Sequence, residues 1–462
     1  MHTMKPIHSL PVCAFLLVAG LVSALPATSL AQPQSAAPAN PPMAAAGQSS
    51  SAAAANAPRL TRTQAEQIAL RNNPRISVAR LIALAQAQVT REVRSAELPT
   101  ATADLTSVGA HDYSRIAAGA LNSPRVLDKA AGGLTVNQLI TDFGRTHHLV
   151  LSARANAQAQ LENERATQQD ITLTVDQAFY QALTAQAVLQ VAKETVAERQ
   201  ASVDQISVLT ASKLRSDLDL SFANVQLSQA RLLFLDAQNS AQDAMSSLNT
   251  VLGSDSDQQY TLVDESSANP ESAPPNAEPL VQTAFSARPD LAALNAQSLA
   301  ARQYSTAERD LWMPTVSAIA TVGGAPVRAD QIQSSWYGAA GANISIPVFN
   351  GFLFDARSRE AKLRANAAQE QVRDLRNVIA RDVRNAVLNA QNAFQRIGVT
   401  QEMLKESNMA LNLAQARYQI GLSGIVELSQ AQLSQTQAQI AYASARYAYQ
   451  TSLAVLRYQL GQ

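Results

Sequence analysis

Between Gly144 and Gly253 the chain runs without a single glycine or proline, and Ala, Gln and charged residues separate its apolar positions. Such residues lose least on entering a helix, so the run predicts two long helices joined by a hairpin. Turn-prone and charged residues gather at 211–216, Ala-Ser-Lys-Leu-Arg-Ser, which marks the tip. The first helix is expected over 147–210, about 95 Å at 1.5 Å per residue, and the return helix over 214–252. A second hairpin is expected from Leu353 to Ile420 and from Ile425 to Leu460, turning at Gly421-Leu-Ser-Gly424. Leu404, Leu411 and Tyr418 recur every seven positions, as do Leu453 and Leu460, a spacing that favours coiled-coil packing. The alanines and glutamines between them make the seam shallow.

The two hairpins belong to a tandem duplication. Pro74, Pro99 and Gly109 reappear as Pro289, Pro314 and Gly324, each 215 positions later. Gly144 pairs with Gly351 at a spacing of 207, and Asp219-Leu220 and Leu252-Gly253 pair with Glu427-Leu428 and Leu460-Gly461 at 208. The copies span 59–253 and 280–462, far longer than the roughly 20 to 50 residues of a solenoid repeat, so each holds several elements. An acidic, proline-rich linker at 254–279 joins them, with a short strand near Tyr260. Before each hairpin a shorter helix ends at a proline, Arg75 to Leu98 and Asp290 to Met313. With the return helix it approaches the length of the unbroken one, so the two can stack end to end against it.

After each of those prolines the pattern changes period. Residues 100–110 and 315–325 are rich in Thr, Ser, Val, Ala and Gly, which suits strands. Ala342-Asn-Ile-Ser-Ile-Pro-Val348 alternates, and Leu134-Thr-Val-Asn137 begins the same way before its phase drifts at Gln138. Each copy thus supplies two strands of about ten residues, joined by a polar loop at 111–131 or 326–336. Ten residues is the length of a tilted membrane-spanning strand. Four strands cannot close, and an open edge cannot face lipid, so spanning strands demand an oligomer. The alternative is a soluble four-stranded sheet packed on the helices. Trp312, Phe143, Phe349 and Phe352 fall where strands meet helices, and Trp336 and Tyr337 at the far end; the two levels read either as interfacial girdles or as core.

Composition narrows the partners. Only 5% of residues are aromatic, which suits closely approaching helices better than thick sandwiches. Thirty-six basic residues balance thirty-six acidic ones without a basic patch, so nucleic acid is not an expected partner. Lys5, an apolar run from Val12 to Leu25 and the small-residue site Ser29-Leu30-Ala31 read as a signal peptide over 1–31. Gly20 and Ser23 interrupt that run, which falls short of the ~20 residues of a membrane anchor. A low-complexity Ala, Pro, Ser and Gln leader follows over 32–58. The single cysteine, Cys13, lies in the apolar run, so the mature chain is expected to have no thiol chemistry. No hydrolase, metalloprotease or phosphate-loop motif occurs, and His147-His148 has no acidic or histidine companion one turn away. No enzyme activity, cofactor or metal is expected, and those histidines read as a solvated helix start.

The run Ala416-Arg-Tyr-Gln-Ile-Gly-Leu-Ser-Gly-Ile-Val-Glu-Leu-Ser-Gln-Ala-Gln432, with Ala441-Tyr-Ala-Ser-Ala-Arg-Tyr-Ala-Tyr449, resembles the last hairpin of the TolC-like outer-membrane factor family. Val348-Phe-Asn-Gly-Phe352 and Leu139-Ile-Thr-Asp-Phe-Gly-Arg145 resemble its strand-to-helix junctions. The resemblance spans about 60–462 and implies a mainly α fold with β. Three chains would form a long α-helical hairpin tunnel, each adding four membrane strands to a trimeric 12-stranded β-barrel, with the internal duplication. It further implies an outer-membrane exit duct of Gram-negative efflux or type I secretion, a homotrimer in outer-membrane lipid whose helices reach into the periplasm. Its partners would be a periplasmic adaptor and an inner-membrane pump of RND or ABC type.

By position in that family, Asp219 and Glu427 would face the axis at the closed periplasmic tip. Helix capping accounts for the same residues: Ser216-Asp-Leu-Asp219 fits the capping-box pattern and Glu427 stands in a first turn. The family's gate is altered here, with Gln430 where a second carboxylate would follow and Ser423 where a locking arginine would stand. Tyr418 is kept, and Arg215 or Arg417 can replace the missing cation. Ile420-Gly421-Leu422 resembles the adaptor-docking tip, and also fits an ordinary glycine C-cap; its counterpart Ser212-Lys213-Leu214 lacks the glycine. A periplasmic adaptor or coiled-coil structural protein is the rival reading, although an adaptor would carry a single hairpin between β domains.

Overall fold

The computed structural model describes residues 58–109, 116–118, 121–123, 129–254, 258–264, 276–327 and 334–462. The expected signal peptide, nearly all of the leader, and much of the polar loops and linker lie outside these residues. The first copy opens with β1 (Arg59–Leu60), α1 (Arg62–Asn72), α2 (Pro74–Arg94) and β2 (Thr100–Val108). A small hairpin follows, β3 (Ile116–Ala118) and β4 (Leu121–Ser123), and then β5 (Lys129–Thr141), α3 (Arg145–Ala211) and α4 (Asp217–Leu252). A short strand, β6 (Thr261–Leu262), returns to pair in parallel with β1. The second copy runs α5 (Ala277–Ala287), α6 (Pro289–Arg309), β7 (Thr315–Val327), β8 (Trp336–Ser345), α7 (Leu353–Gln419) and α8 (Ile425–Gln459).

Several boundaries differ from expectation. Helices α1 and α5 were not foreseen, and α5 begins inside the expected linker. Thr61 caps α1 reciprocally: its hydroxyl accepts from the Gln64 amide at 3.3 Å and its own amide donates to the Gln64 side chain at 3.1 Å, a capping box. Strands β5 and β8 start earlier than Leu134 and Ala342, and the expected loop 111–131 contains β3 and β4. Pro74 and Pro289 are the first residues of α2 and α6, one position before the expected starts at Arg75 and Asp290; there a fixed φ helps and no hydrogen bond is lost. Both of those helices finish in a single 3₁₀ turn before Pro99 and Pro314. Gly109 follows β2, whereas its counterpart Gly324 lies inside β7.

The two 67-residue helices, α3 and α7, are each about 100 Å long and carry the architecture. Along α3 pack α2 and α6 toward the strands and α4 and α8 toward the tips, while α6 and α8 also pack on α7. The expected end-to-end stacking is present. Gly253, at φ 75°, closes α4, and a Cβ there would stand 2.9 Å from the Asn72 carbonyl oxygen at the α1–α2 joint. Gly461, at φ 79°, repeats this beyond α8, where a Cβ would stand 2.7 Å from the Ala287 carbonyl carbon. Asn73 fastens the first joint by donating to the Val251 carbonyl and accepting from the Arg75 amide, both at 3.0 Å.

Around these joints lie two equivalent cores. Ile171, Val175 and Phe179 of α3 pack with Leu248 and Leu252 of α4 and with Ala69 and Ile76. At the repeat spacing, Ile379, Val383 and Val387 of α7 pack with Leu456, Leu460, Ala284 and Leu291. Each large apolar side chain buried here contributes roughly 1.5–3 kcal/mol, so the abutting pieces are held together by side-chain packing. The four long strands form one antiparallel sheet in the order β2-β5-β7-β8. The two copies meet at β5 and β7, where Leu134 stands opposite Val322, and β2 and β8 are left as edges. Among the described residues no helix is long and apolar enough to cross a membrane.

Candidate functional site

The hairpin tips gather most of the residues singled out from the sequence. Both tips close in the same way: Leu214 donates to the Leu209 carbonyl at 2.9 Å, and Leu422 to the Arg417 carbonyl at 2.8 Å. The residue before each adopts the left-handed conformation, Lys213 at φ 59° and Gly421 at φ 78°. These are Schellman closures, so the missing glycine at Lys213 has not changed the backbone of its tip. Leu214, Ile420 and Leu422 are all well exposed.

Tyr418 meets a cation from the other hairpin. The Arg215 guanidinium lies 4.2 Å from the centre of the Tyr418 ring and donates to the Tyr418 backbone carbonyl. Tyr418 is buried at 6% exposure, and its hydroxyl has no hydrogen-bond partner. Burial pushes its pKa above the usual phenol value, the Asp219 charge adds to this, and the Arg215 cation opposes it, so the phenol stays neutral and presents its ring face to Arg215. Around it Ile206 and Ala223 of the first hairpin meet Leu411, Ile425 and Leu428 of the second. Arg417 makes a different pair, within its own hairpin, with its Nε 3.3 Å from Glu427 Oε1. Ser216 caps α4 by accepting from the Asp219 amide at 3.2 Å, and Asp219 itself is half-exposed. Gln430 is exposed and joins no part of this cluster.

At the opposite end lie the aromatic residues singled out from the sequence. Phe349 and Phe352 stack edge to face at 5.8 Å, and Trp312 packs at 5.7 Å on Phe354, which the sequence reading passed over. Phe143, Phe349, Phe352 and Trp336 are more than half exposed in the single chain, so they are not core. The Tyr337 hydroxyl lies over Gly133 and Gly323, where a Cβ would come within 2.3 and 2.4 Å of it. Where strand passes to helix, Phe143 and Gly144 have φ of 55° and 104°, and Gly351 and Phe352 have 63° and 64°. The residues capping α3 and α7 are therefore Gly144 and Phe352, 208 apart. The glycine and phenylalanine have exchanged places, which explains the spacing of 207 between the glycines. His148 is not simply solvated: its Nδ1 meets Gln303 Oε1 at 2.9 Å, and its Nε2 stands 3.8 Å from Asp310.

One cluster was invisible in the sequence. Arg62 of α1 pairs with Glu66 and, at 3.4 Å, with Asp176 of α3, which Arg457 of α8 approaches at 3.8 Å. Burial, a hydrogen bond to Asp176 and the Asp176 charge push Glu66 up to about 7, against the pull of Arg62 and Arg457. The second copy has Val281 in place of Glu66 and packs that site with apolar side chains. Arg62 and Glu66 are one helical turn apart, but Asp176 and Arg457 lie more than a hundred positions from them and from each other, so the cluster as a whole leaves no local signal.

A four-stranded sheet carried on helical hairpins of about 100 Å is a fold shared with solved outer-membrane channels. The chain belongs to the outer membrane efflux protein family, which matches residues 65–254 and 280–462, one match in each copy. It is an outer-membrane protein of the Gram-negative kind. It is 23% identical over 346 residues to outer membrane protein TolC of Salmonella enteritidis, across 72% of this chain and 69% of that one. The solved CusC structure superposes with a TM-score of 0.76 at 21% identity, across 87% of this chain and 92% of the other. The open-state MtrE outer membrane channel of Neisseria gonorrhoeae gives 0.72 at 22%, across 87% and 88%.

Proposed function

We propose that the chain is one third of a passive exit duct, serving a tripartite efflux or type I secretion system when an adaptor and an inner-membrane pump dock on its periplasmic end. The observation that carries this reading is the sheet with two free edges. Leu105 on β2 is 89% exposed, and every residue of β8 is exposed; such edges cannot stand in lipid. Three copies joined β2 to β8 give twelve strands, and the head-to-tail contact closes a ring. The helices offer matching flanks, with Leu81 and Ile82 of α2 and Leu232 and Leu235 of α4 exposed on one side, and Leu388, Val399 and Leu413 of α7 on the other. The two aromatic levels are about ten strand residues apart, close to the height of an apolar membrane band for tilted strands.

In this duct Asp219 and Glu427 place six carboxylates at the periplasmic constriction, where their summed potential draws cations and repels anions. The Arg215–Tyr418 contact holds the hairpins of each chain together in the closed state. The exposed tips Ile420-Gly421-Leu422 and Lys213-Leu214 are the adaptor contacts. The only cysteine is Cys13, so cysteine pairs scanned along β2 and β8 report without background. Oxidation in washed outer membranes is expected to give a cross-linked ladder ending at three chains. A ladder that stops at one chain, or a protein absent from that fraction, refutes the duct.

A further inference from the structure

The groove between the two hairpins contains a polar cavity of about 660 Å³, walled by α3 and α7 and floored by α8. Arg199 lines it at 4% exposure. One guanidinium nitrogen donates to the Gln432 carbonyl at 3.1 Å and to the Thr436 hydroxyl at 3.3 Å. Both acceptors are neutral, and no carboxylate lies within ion-pair distance of Arg199 among the described residues; Glu198, next in sequence, acts on it only from the cavity rim. A buried cation without a counter-charge costs several kcal/mol, and burial accordingly holds Arg199 below the usual guanidinium pKa, against the Glu198 charge. One turn along the floor, Gln435 is buried and its Oε1 has no donor. Residues 432, 435 and 436 share one helix face, and Gln435 lines the same cavity as Arg199. Ser202, Asn412 and Gln415 add further polar groups to the lining.

We propose that this cavity binds a small oxyanion that also carries a hydrogen-bond donor, as inorganic phosphate does. Its oxygens would accept from the free N–H groups of Arg199, and its P–OH would donate to Gln435 Oε1. The site occurs once per chain, because Ser407 stands 208 positions after Arg199. It lies 54 residues from the start of α3 at Arg145, about 80 Å along the helix from the strands, which removes lipid headgroups as the source. Its occupant would bridge the first hairpin to the second. The inference goes beyond the duct reading and holds whether or not the chain conducts.

The test uses the full chain in a maltoside detergent, free of phosphate, titrated with inorganic phosphate and followed by calorimetry and thermal unfolding. One saturable site per chain is expected, with a rise in Tm that Arg199→Gln abolishes and Arg199→Lys keeps in part. Sulfate, which has no donor at neutral pH, is expected to bind about tenfold more weakly. Gln435→Glu supplies an internal carboxylate, so it should raise Tm in phosphate-free buffer and remove the phosphate response. It decides the matter if the Arg199 variant fails to fold. No saturable binding to the wild type, sulfate binding as tight as phosphate, or an unchanged phosphate response in Gln435→Glu overturns the site.

Discussion

Removing Arg215 should open the channel. The side chain makes two contacts across the hairpins, one over the Tyr418 ring and one to its backbone carbonyl. A cation over an aromatic face is worth about 0.5–2 kcal/mol, and a hydrogen bond from a charged donor about 1.5–3 kcal/mol. Because Arg215 is itself half-exposed, water recovers much of both, leaving about 1–2 kcal/mol per chain. If three chains open together, Arg215→Ala removes about 3–6 kcal/mol and raises the open-to-closed ratio by roughly 10² to 10⁴. Open probability in planar bilayers at neutral pH measures this directly. Arg215→Lys keeps the charge without the planar stack and should fall between. Tyr418→Ala should open the channel too, and the double variant should add little to either single one. A closed Arg215→Ala channel, or fully additive effects, refutes a clasp between these two residues.

Three further outcomes are expected. Asp219→Ala with Glu427→Ala should erase cation preference in reversal-potential measurements, and unchanged selectivity would leave those carboxylates only a charge in the first turn of α4 and α8. Glu66 titrates in the folded chain at about 7, above its ordinary value, so folding takes up a proton. The associated stability is full at acid pH below the unfolded value and declines as pH rises through about 7, by at most about 3 kcal/mol. Glu66→Gln should flatten that slope in urea unfolding at a series of pH values, and an unaltered slope would count against the assignment. Gly461→Ala should cost about 2–4 kcal/mol, since it forces a Cβ against the Ala287 backbone at positive φ; a Tm near that of the parent would rule out the close approach.

The long elements were legible because their signals are local. A hundred residues without glycine or proline can scarcely be anything but helix, and paired glycines at a constant spacing betray a copied unit. Residues Thr61 to Gln64 also carried a readable signal, the start of a capping box, yet α1 is short and was overlooked. Pro74 and Pro289 mark the starts of α2 and α6 to within one residue, because proline fits the first turn of a helix. The tip residues were legible through resemblance, but whether Arg215 or Arg417 served Tyr418 depended on which side chain crossed between hairpins. The Glu66–Asp176 cluster and Arg199 lay beyond reach for a plainer reason. Their energetics arise from burial among segments remote in sequence, and burial of an arginine on an otherwise ordinary Ala- and Gln-rich helix leaves no pattern.

The joints closed by Gly253 and Gly461 divide the helices into two mechanical kinds. α3 and α7 are unbroken struts that connect strand to tip through continuous hydrogen bonding. The columns beside them, α2 above α4 and α6 above α8, meet only by contact at the joints, with no covalent helix across the gap. A push on a tip therefore reaches the membrane end along the struts, whereas the jointed columns can absorb it by bending where their pieces abut. Such a wall can twist at its lower end while its upper end keeps its diameter.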